Sequence, residues 1–281
     1  TANARKFFLN SRAGEASFVT SMPTIPSESD YTKVLNLNGA GDLSEGKAYA
    51  ITSNKTIDFS GKKIQGATIF IHGGCTMKYD QTLGGNTFVL LGSAKLEYTG
   101  SNAMIAATDK VYCQEAVGTL AATGDMVING ELYANLKSTS DETGNPLVSG
   151  LGAIAEGNKT DKKETITPTQ NITFGEGAKA YINGSIRAQK LTIASNANVY
   201  TTSNVFDSKG ITLDGNLKVD GFVQVGDFTN KDSERKAIPA DMAINGNLET
   251  GANSAVKVTG TLSANAGSKI VANYINVTNN P

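Results

Sequence analysis

The sequence predicts an all-β fold: a single-stranded, right-handed parallel β-helix with turns of roughly 19–20 residues, an N-terminal capping segment and two loop insertions. Three observations predict it. Short strands recur at a fixed offset, glycine and asparagine sit between them, and bulky core residues are scarce. Residues 68–79 (TIFIHGGCTMKY) lie over 87–98 (TFVLLGSAKLEY) at an offset of 19, with Thr68 on Thr87, Ile69 on Phe88, Ile71 on Leu90 and Tyr79 on Tyr98. A second pair, 172–181 (ITFGEGAKAY) over 191–200 (LTIASNANVY), has the same offset. A period near 20 with short alternating strands is the mark of a solenoid, in which stacked turns bury what one turn cannot.

The composition agrees. Aromatic residues make up 7% of the chain and Trp is absent, while Gly numbers 30. A core one side chain deep takes Ile, Val, Leu and Ala, and Gly or Asn suit corners because both tolerate positive φ. The Asn-Gly pairs at Asn129, Asn183 and Asn245 also fit hairpins of a β-sandwich. Hairpins, however, impose no position-by-position correspondence at 19 residues. The right hand follows from the general preference of parallel crossovers, not from any residue.

In chain order, residues 1–44 form the expected cap or packing segment; residues 1–35 lack the repeat altogether and carry an apolar cluster at Phe7, Phe8, Leu9, Phe18 and Val19. Residues 45–281 form the coil. Two stretches break its rhythm, at about 138–168 and 226–240, both polar and charged, and both read as inserted loops. Such loops in solenoids tend to gather on the binding side.

Strand parity then sorts the candidate site residues. His72, the only His, lies three places before Cys75 among glycines, which suggests a reactive pair. One turn later these positions are Leu91 and Ala94. Cys75 therefore falls in an apolar row with Met77 and Tyr79, as an inert small hydrophobe. Cys113 is 38 residues on, about two turns away, too far for a disulfide. A single His supports neither a zinc set nor a triad with a nucleophile elbow. The outer row Phe70, His72, Val89 and Leu91 is apolar where a sheet should meet water, so residues 1–35 or a partner should cover it. Tyr181 and Tyr200 should both point outward, one turn apart, as an exposed aromatic pair able to take a sugar ring or a protein.

Other chemistry finds little footing. Gly150-Leu-Gly-Ala-Ile-Ala155 fits a dinucleotide pattern, but Pro146 precedes it and Gly157 cuts any following helix, so no cofactor is expected. Asp207, Asp214, Asp220 and Asp227 form no tight acidic cluster, and Asp214 and Asp220 precede glycines as corner residues do. No catalytic residue and no metal site are assigned. Lys plus Arg is 25 against Asp plus Glu 26, which leaves no basic footprint for nucleic acid. No run is long enough for a membrane-spanning helix. The chain begins Thr-Ala-Asn, read as a mature or trimmed form whose signal segment, any lipid anchor and further domains lie outside it.

The run ITSNKTIDFSGKKIQGATIFIHGG (51–74), with TFVLLGSAKLEYTG, INGELYAN and INGNLETG, resembles the β-solenoid regions of adhesin-like cell-surface proteins of gut bacteria, some of which carry a LruC-type domain. The likeness covers roughly residues 45–281, and no LruC-like signature is present. It implies a non-enzymatic adhesion or recognition module, exposed on a bacterial surface and associated with the outer membrane, with a host protein or glycan as partner. The alternatives are a polysaccharide lyase or hydrolase of the β-helix type and a purely structural stalk.

Overall fold

A computed structural model of the chain describes residues 4–8, 16–115, 119–136, 150–154, 167–231 and 237–278. It is a parallel β-solenoid of about 10 turns; among the described residues all is β apart from a single-turn 3-10 helix at Glu28–Asp30.

The 19-residue correspondences are strand registers. Thr68, Ile69, Phe70 and Ile71 pair with Thr87, Phe88, Val89 and Leu90, and Thr76–Tyr79 pairs with Lys95–Tyr98. Ile172–Phe174 stacks on residues 191–193, and Lys179–Asn183 on Asn198–Thr201. Each turn carries up to three short strands, so the coil has three faces. The first face runs from Val34–Asn36 through Ala48–Ile51, Thr68–Ile71, Thr87–Leu90, Lys110–Cys113, Glu131–Asn135, Lys179–Asn183, Asn198–Thr201, Asn216–Val219 and Asn247–Thr250 to the start of Lys269–Val277. The second face begins as Thr56–Asp58, Thr76–Tyr79, Lys95–Tyr98 and Thr119–Ala122. It resumes at Gly150–Leu151, followed by residues 186–188, 205–207 and 223–225. The third face carries Met126–Ile128, Ile172–Phe174, residues 191–193 and 211–213, Asp241–Ile244 and Leu262–Ala264.

Inward side chains from all three faces form one continuous core, from Leu43 to Ile275. Ile51, Ile71, Leu90 and Cys113 stack in one column, while Met77 and Leu96 stack in another. Burying side chains of this size is worth about 1.5–3 kcal/mol each, which no single turn could accumulate alone. In the early coil Tyr79 fills the core, stacked on Phe88 at 5.4 Å and tilted against Tyr98 at 5.2 Å. Its hydroxyl donates to the carbonyl of Met104, which meets the need of a buried O–H for an acceptor. Cys75 and Cys113 are both buried and free, on different columns, and burial pushes the Cys113 thiol up to about 12.

Two boundaries differ from the sequence expectation. The coil begins before residue 45, since Val34–Asn36 already pairs with Ala48–Ile51 and Leu43 bridges Ile64. Gly150–Leu151, expected inside the first insertion, is a rung of the second face, paired with Ser185 and Ile186. The glycines of the apparent dinucleotide motif serve that pairing. A Cβ on Gly150 would lie 2.1 Å from the Ser185 carbonyl oxygen, and one on Gly152, at φ +98, would lie 2.0 Å from that of Arg187. Close backbone approach, not phosphate binding, selects them. The second insertion contains a small antiparallel pair, Asp227–Lys231 with Ala237–Ile238. The remainder of the two expected insertions, at 137–149, 155–166 and 232–236, lies outside the described residues. Ala4–Phe8 pairs antiparallel with Lys269–Val277, which places the start of the chain beside the last described turn.

Candidate functional site

Two places on the coil bring exposed or chemically distinctive side chains together: the outer row of the first face, and the corner between the second and third faces from which two excursions leave.

The outer row is set by parity. Successive rungs place Ala50, Phe70, Val89, Tyr112, Tyr133, Tyr181, Tyr200, Lys218 and Glu249 in one line. Over its first part, Val19, Met22, Ile25, Tyr31 and Val34 pack against Ala48, Ala50, Phe70, Val89, Tyr112 and Tyr133. Phe70 and Val89 are fully buried there, and Leu91 packs at the margin. Residues 16–34 therefore act as a strap over the row. Tyr31 meets Phe70 edge-on at 5.7 Å and its hydroxyl donates to Thr68 Oγ1 at 3.0 Å. His72 Nε2 lies 2.7 Å from Glu28 Oε1, on the 3-10 turn that Ser27 and Asp30 close as a capping box. His72 thus ties the strap to the coil through the Glu28 carboxylate.

From beneath the strap outward, Tyr112, Tyr133, Tyr181 and Tyr200 form one ladder. Tyr112–Tyr133 centroids are 5.3 Å apart and Tyr181–Tyr200 5.8 Å, the latter stacked at 27°. The expected exposed pair is corrected at Tyr200, which is only 7% exposed. Its ring face is taken by Tyr181 and its hydroxyl donates to Asp220. Burial, then the Asp220 bond, raises its pKa; Tyr133 is raised in the same way beside Glu131, whose carboxylate accepts its hydroxyl at 2.8 Å. Tyr181 is half-buried and is the member of the pair still open to solvent. Sequence reasoning missed Tyr112 and Tyr133 because residues 136–178 interrupt the 19-residue period. The recurring triplets KVY (110–112), ELY (131–133), KAY (179–181) and NVY (198–200) carried the signal. Beside this ladder Glu131 lies between Lys110 at 3.6 Å and Lys179 at 4.0 Å.

The second place is the corner between second and third faces. Two consecutive rungs, Ser185–Ile193 and Val205–Leu213, pass it as unbroken strands. Their register shifts between Ala188 and Lys190. Asp207 supports the shift from inside: its carboxylate accepts the amides of Gly210, of Leu191 at 2.8 Å and of Lys209 at 3.1 Å. Burial pushes Asp207 up to about 7, against the pull of those amides and of nearby Lys190. It is a corner brace. Asp214 accepts from Asn245 at 2.5 Å and Asp220 from Tyr200, so these carboxylates serve separate local bonds. The side chain of Asp227 lies outside the described residues. Among the described residues no group of three or more His, Cys, Asp or Glu is placed to hold a metal ion.

The rungs on either side of this tight pair both open into excursions. On one, Ile154 and Pro168 make an antiparallel bridge at the base of residues 155–167. Gln170, nearly buried, clamps that base, with Oε1 accepting Ala153 N at 2.9 Å and Nε2 donating to the carbonyls of Ala122 at 2.8 Å and Gly124 at 2.6 Å. On the other, Asp227 faces Ile238 antiparallel. Its ends are fixed by Gly226 N to the Asp207 carbonyl at 2.7 Å and Ala240 N to Thr259 Oγ1 at 3.0 Å. The two bases are three rungs apart on one edge, about 14 Å.

Comparison with protein-family models, with curated proteins and with solved structures returns no match.

Proposed function

We propose that this chain is a non-enzymatic recognition module displayed on a bacterial surface, which binds a host protein or a glycan through the edge bearing its two excursions. The observation that carries the reading is the placement of those excursions. Each leaves the coil at the same corner, each has a pinched antiparallel base, and two braced rungs hold them about 14 Å apart. Loops held at fixed spacing by a rigid coil are what extended recognition needs, because a pre-organised scaffold lowers the ordering cost of binding. The resemblance of residues 45–281 to adhesin-like surface proteins supports the same reading, and supplies the bacterial, extracellular setting. Tyr181 adds a contact on the neighbouring face; Tyr200 supports it from below.

A binding screen of the chain against glycan and host-protein arrays tests this directly. The comparison protein has residues 155–167 and 227–238 replaced by short corners like that at Ala188–Lys190. Binding by the parent and loss in the folded comparison protein is the expected result. Equal binding by both would move the function off this edge. Release of sugar fragments from a bound polysaccharide would overturn the non-enzymatic reading.

A further inference from the structure

The strap has a periodicity of its own. From Val19 to Val34, every third residue meets the coil: Val19, Met22, Ile25, Tyr31 and Val34 pack on the outer row and Glu28 meets His72. Residues 16–27 belong to no strand or helix and include Pro23 and Pro26, themselves three apart. Three residues per turn without internal hydrogen bonds is the repeat of the polyproline helix, which advances about 9.3 Å per turn. Aromatic-lined surfaces take proline-bearing segments in this way because the segment arrives already extended, with little entropy left to lose. The row supplies that lining with Phe70, Tyr112, Tyr133 and Tyr181.

We propose that the outer row of the first face is a binding track for an extended, proline-bearing peptide with an apolar side chain at every third position. Residues 16–34 are its resident ligand, and a peptide of the same pattern supplied in trans displaces them. The inference is independent of the loop-bearing edge, which lies on another side of the coil. It gives the face a partner class: unfolded or linker-like peptide, not carbohydrate.

The probe is a labelled synthetic peptide of residues 16–34, used with the whole chain. In the triple variant Met22→Ala, Ile25→Ala, Tyr31→Ala the resident strap is weakened, so a larger fraction of tracks is open. The peptide should bind this variant at least about tenfold more tightly than the parent, as the apparent dissociation constant scales inversely with the open fraction. A peptide of the same composition with its apolar spacing scrambled should not bind. Equal binding of the scrambled peptide, or none of the native peptide by a folded variant, overturns the proposal. Dimerisation of the variant without peptide binding also overturns it, in favour of coil-to-coil docking. If the variant fails to fold, the parent decides: saturating peptide should speed oxidation of Met22, and an unchanged rate counts against displacement.

Discussion

The first face has two halves that differ in what meets their outer row. In the early half the row reads Ala50, Phe70, Val89, Tyr112 and Tyr133, and the strap closes over it. In the late half it reads Lys218 and Glu249, ion-paired at 3.0 Å. Asn198, Asn216 and Asn247 run beside them, joined by side-chain hydrogen bonds of 2.8 and 2.6 Å. The inner columns of both halves are alike. The difference teaches that strand parity assigns a side but not an environment: an outward residue is solvated only if nothing lies over it. The early half is a three-layer structure of strap, sheet and core, whereas the late half relies on its core, its corners and polar ladders.

The largest effect that contrast predicts is at Phe70. Phe70→Ala removes a fully buried ring from beneath the strap and should cost about 3–5 kcal/mol. Lys218→Ala, in the same row of the late half, should cost less than about 1 kcal/mol, as for an exposed ion pair. Denaturant unfolding of the two variants compares them directly, and equal losses would erase the distinction between the halves.

Next is the corner brace of the late half. Asp207→Asn keeps the acceptor for Gly210 and Lys209 but turns an amide N–H toward that of Leu191, at a cost of about 1–3 kcal/mol. The same residue predicts a pH dependence. Folding raises its pKa from the ordinary 3.8 to about 7, so between those values the folded chain holds a proton that the unfolded chain has released. The contribution of Asp207 is fully present below the ordinary carboxylate range and is lost as pH rises through about 7. Asp207→Asn should flatten that decline in a series of melts; a slope unchanged by the substitution would assign it to other groups.

Smaller effects belong to the strap. Tyr31→Ala loses an edge contact with Phe70 and a bond to Thr68, and should cost about 1–2 kcal/mol. Glu28→Gln removes the carboxylate that meets His72, whose side chain is 37% exposed, and should cost less than about 1 kcal/mol. Both should raise hydrogen exchange in the strap while leaving the late half as it was.

The coil itself was legible because its strands repeat in register. Thr68 over Thr87 and Tyr79 over Tyr98 are adjacent-rung neighbours, and a parallel stack writes that adjacency as a constant offset. The apolar outer row at Phe70 and Val89 was legible for the same reason, as an anomaly of parity. Three features were not. Tyr133 and Tyr181 are neighbours in space but 48 residues apart, since the chain leaves the coil between them. Gly150 and Gly152 were hidden in a polar, charged stretch, because a two-residue rung carries too little hydrophobic pattern. That residues 1–35 would cover the row was expected, but the spacing of the strap's contacts was not, because a period of three matches neither the strand period of two nor the helical 3.6. The burial of Tyr200 followed from Asp220, a corner residue whose reach no spacing reveals. The excursions could be located by their loss of rhythm, but their shared edge depends on which of three corners each one leaves.

The central claim is that the early outer row lies beneath the strap. Hydroxyl-radical footprinting of the whole chain, read by mass spectrometry, tests it at Phe70, Val89, Tyr112 and Tyr133. These side chains should be protected in the parent and should gain labelling together when the strap anchors Met22, Ile25 and Tyr31 are replaced by alanine. Rapid labelling of Tyr112 and Tyr133 in the parent, at the rate of solvent-exposed tyrosines, would contradict the account.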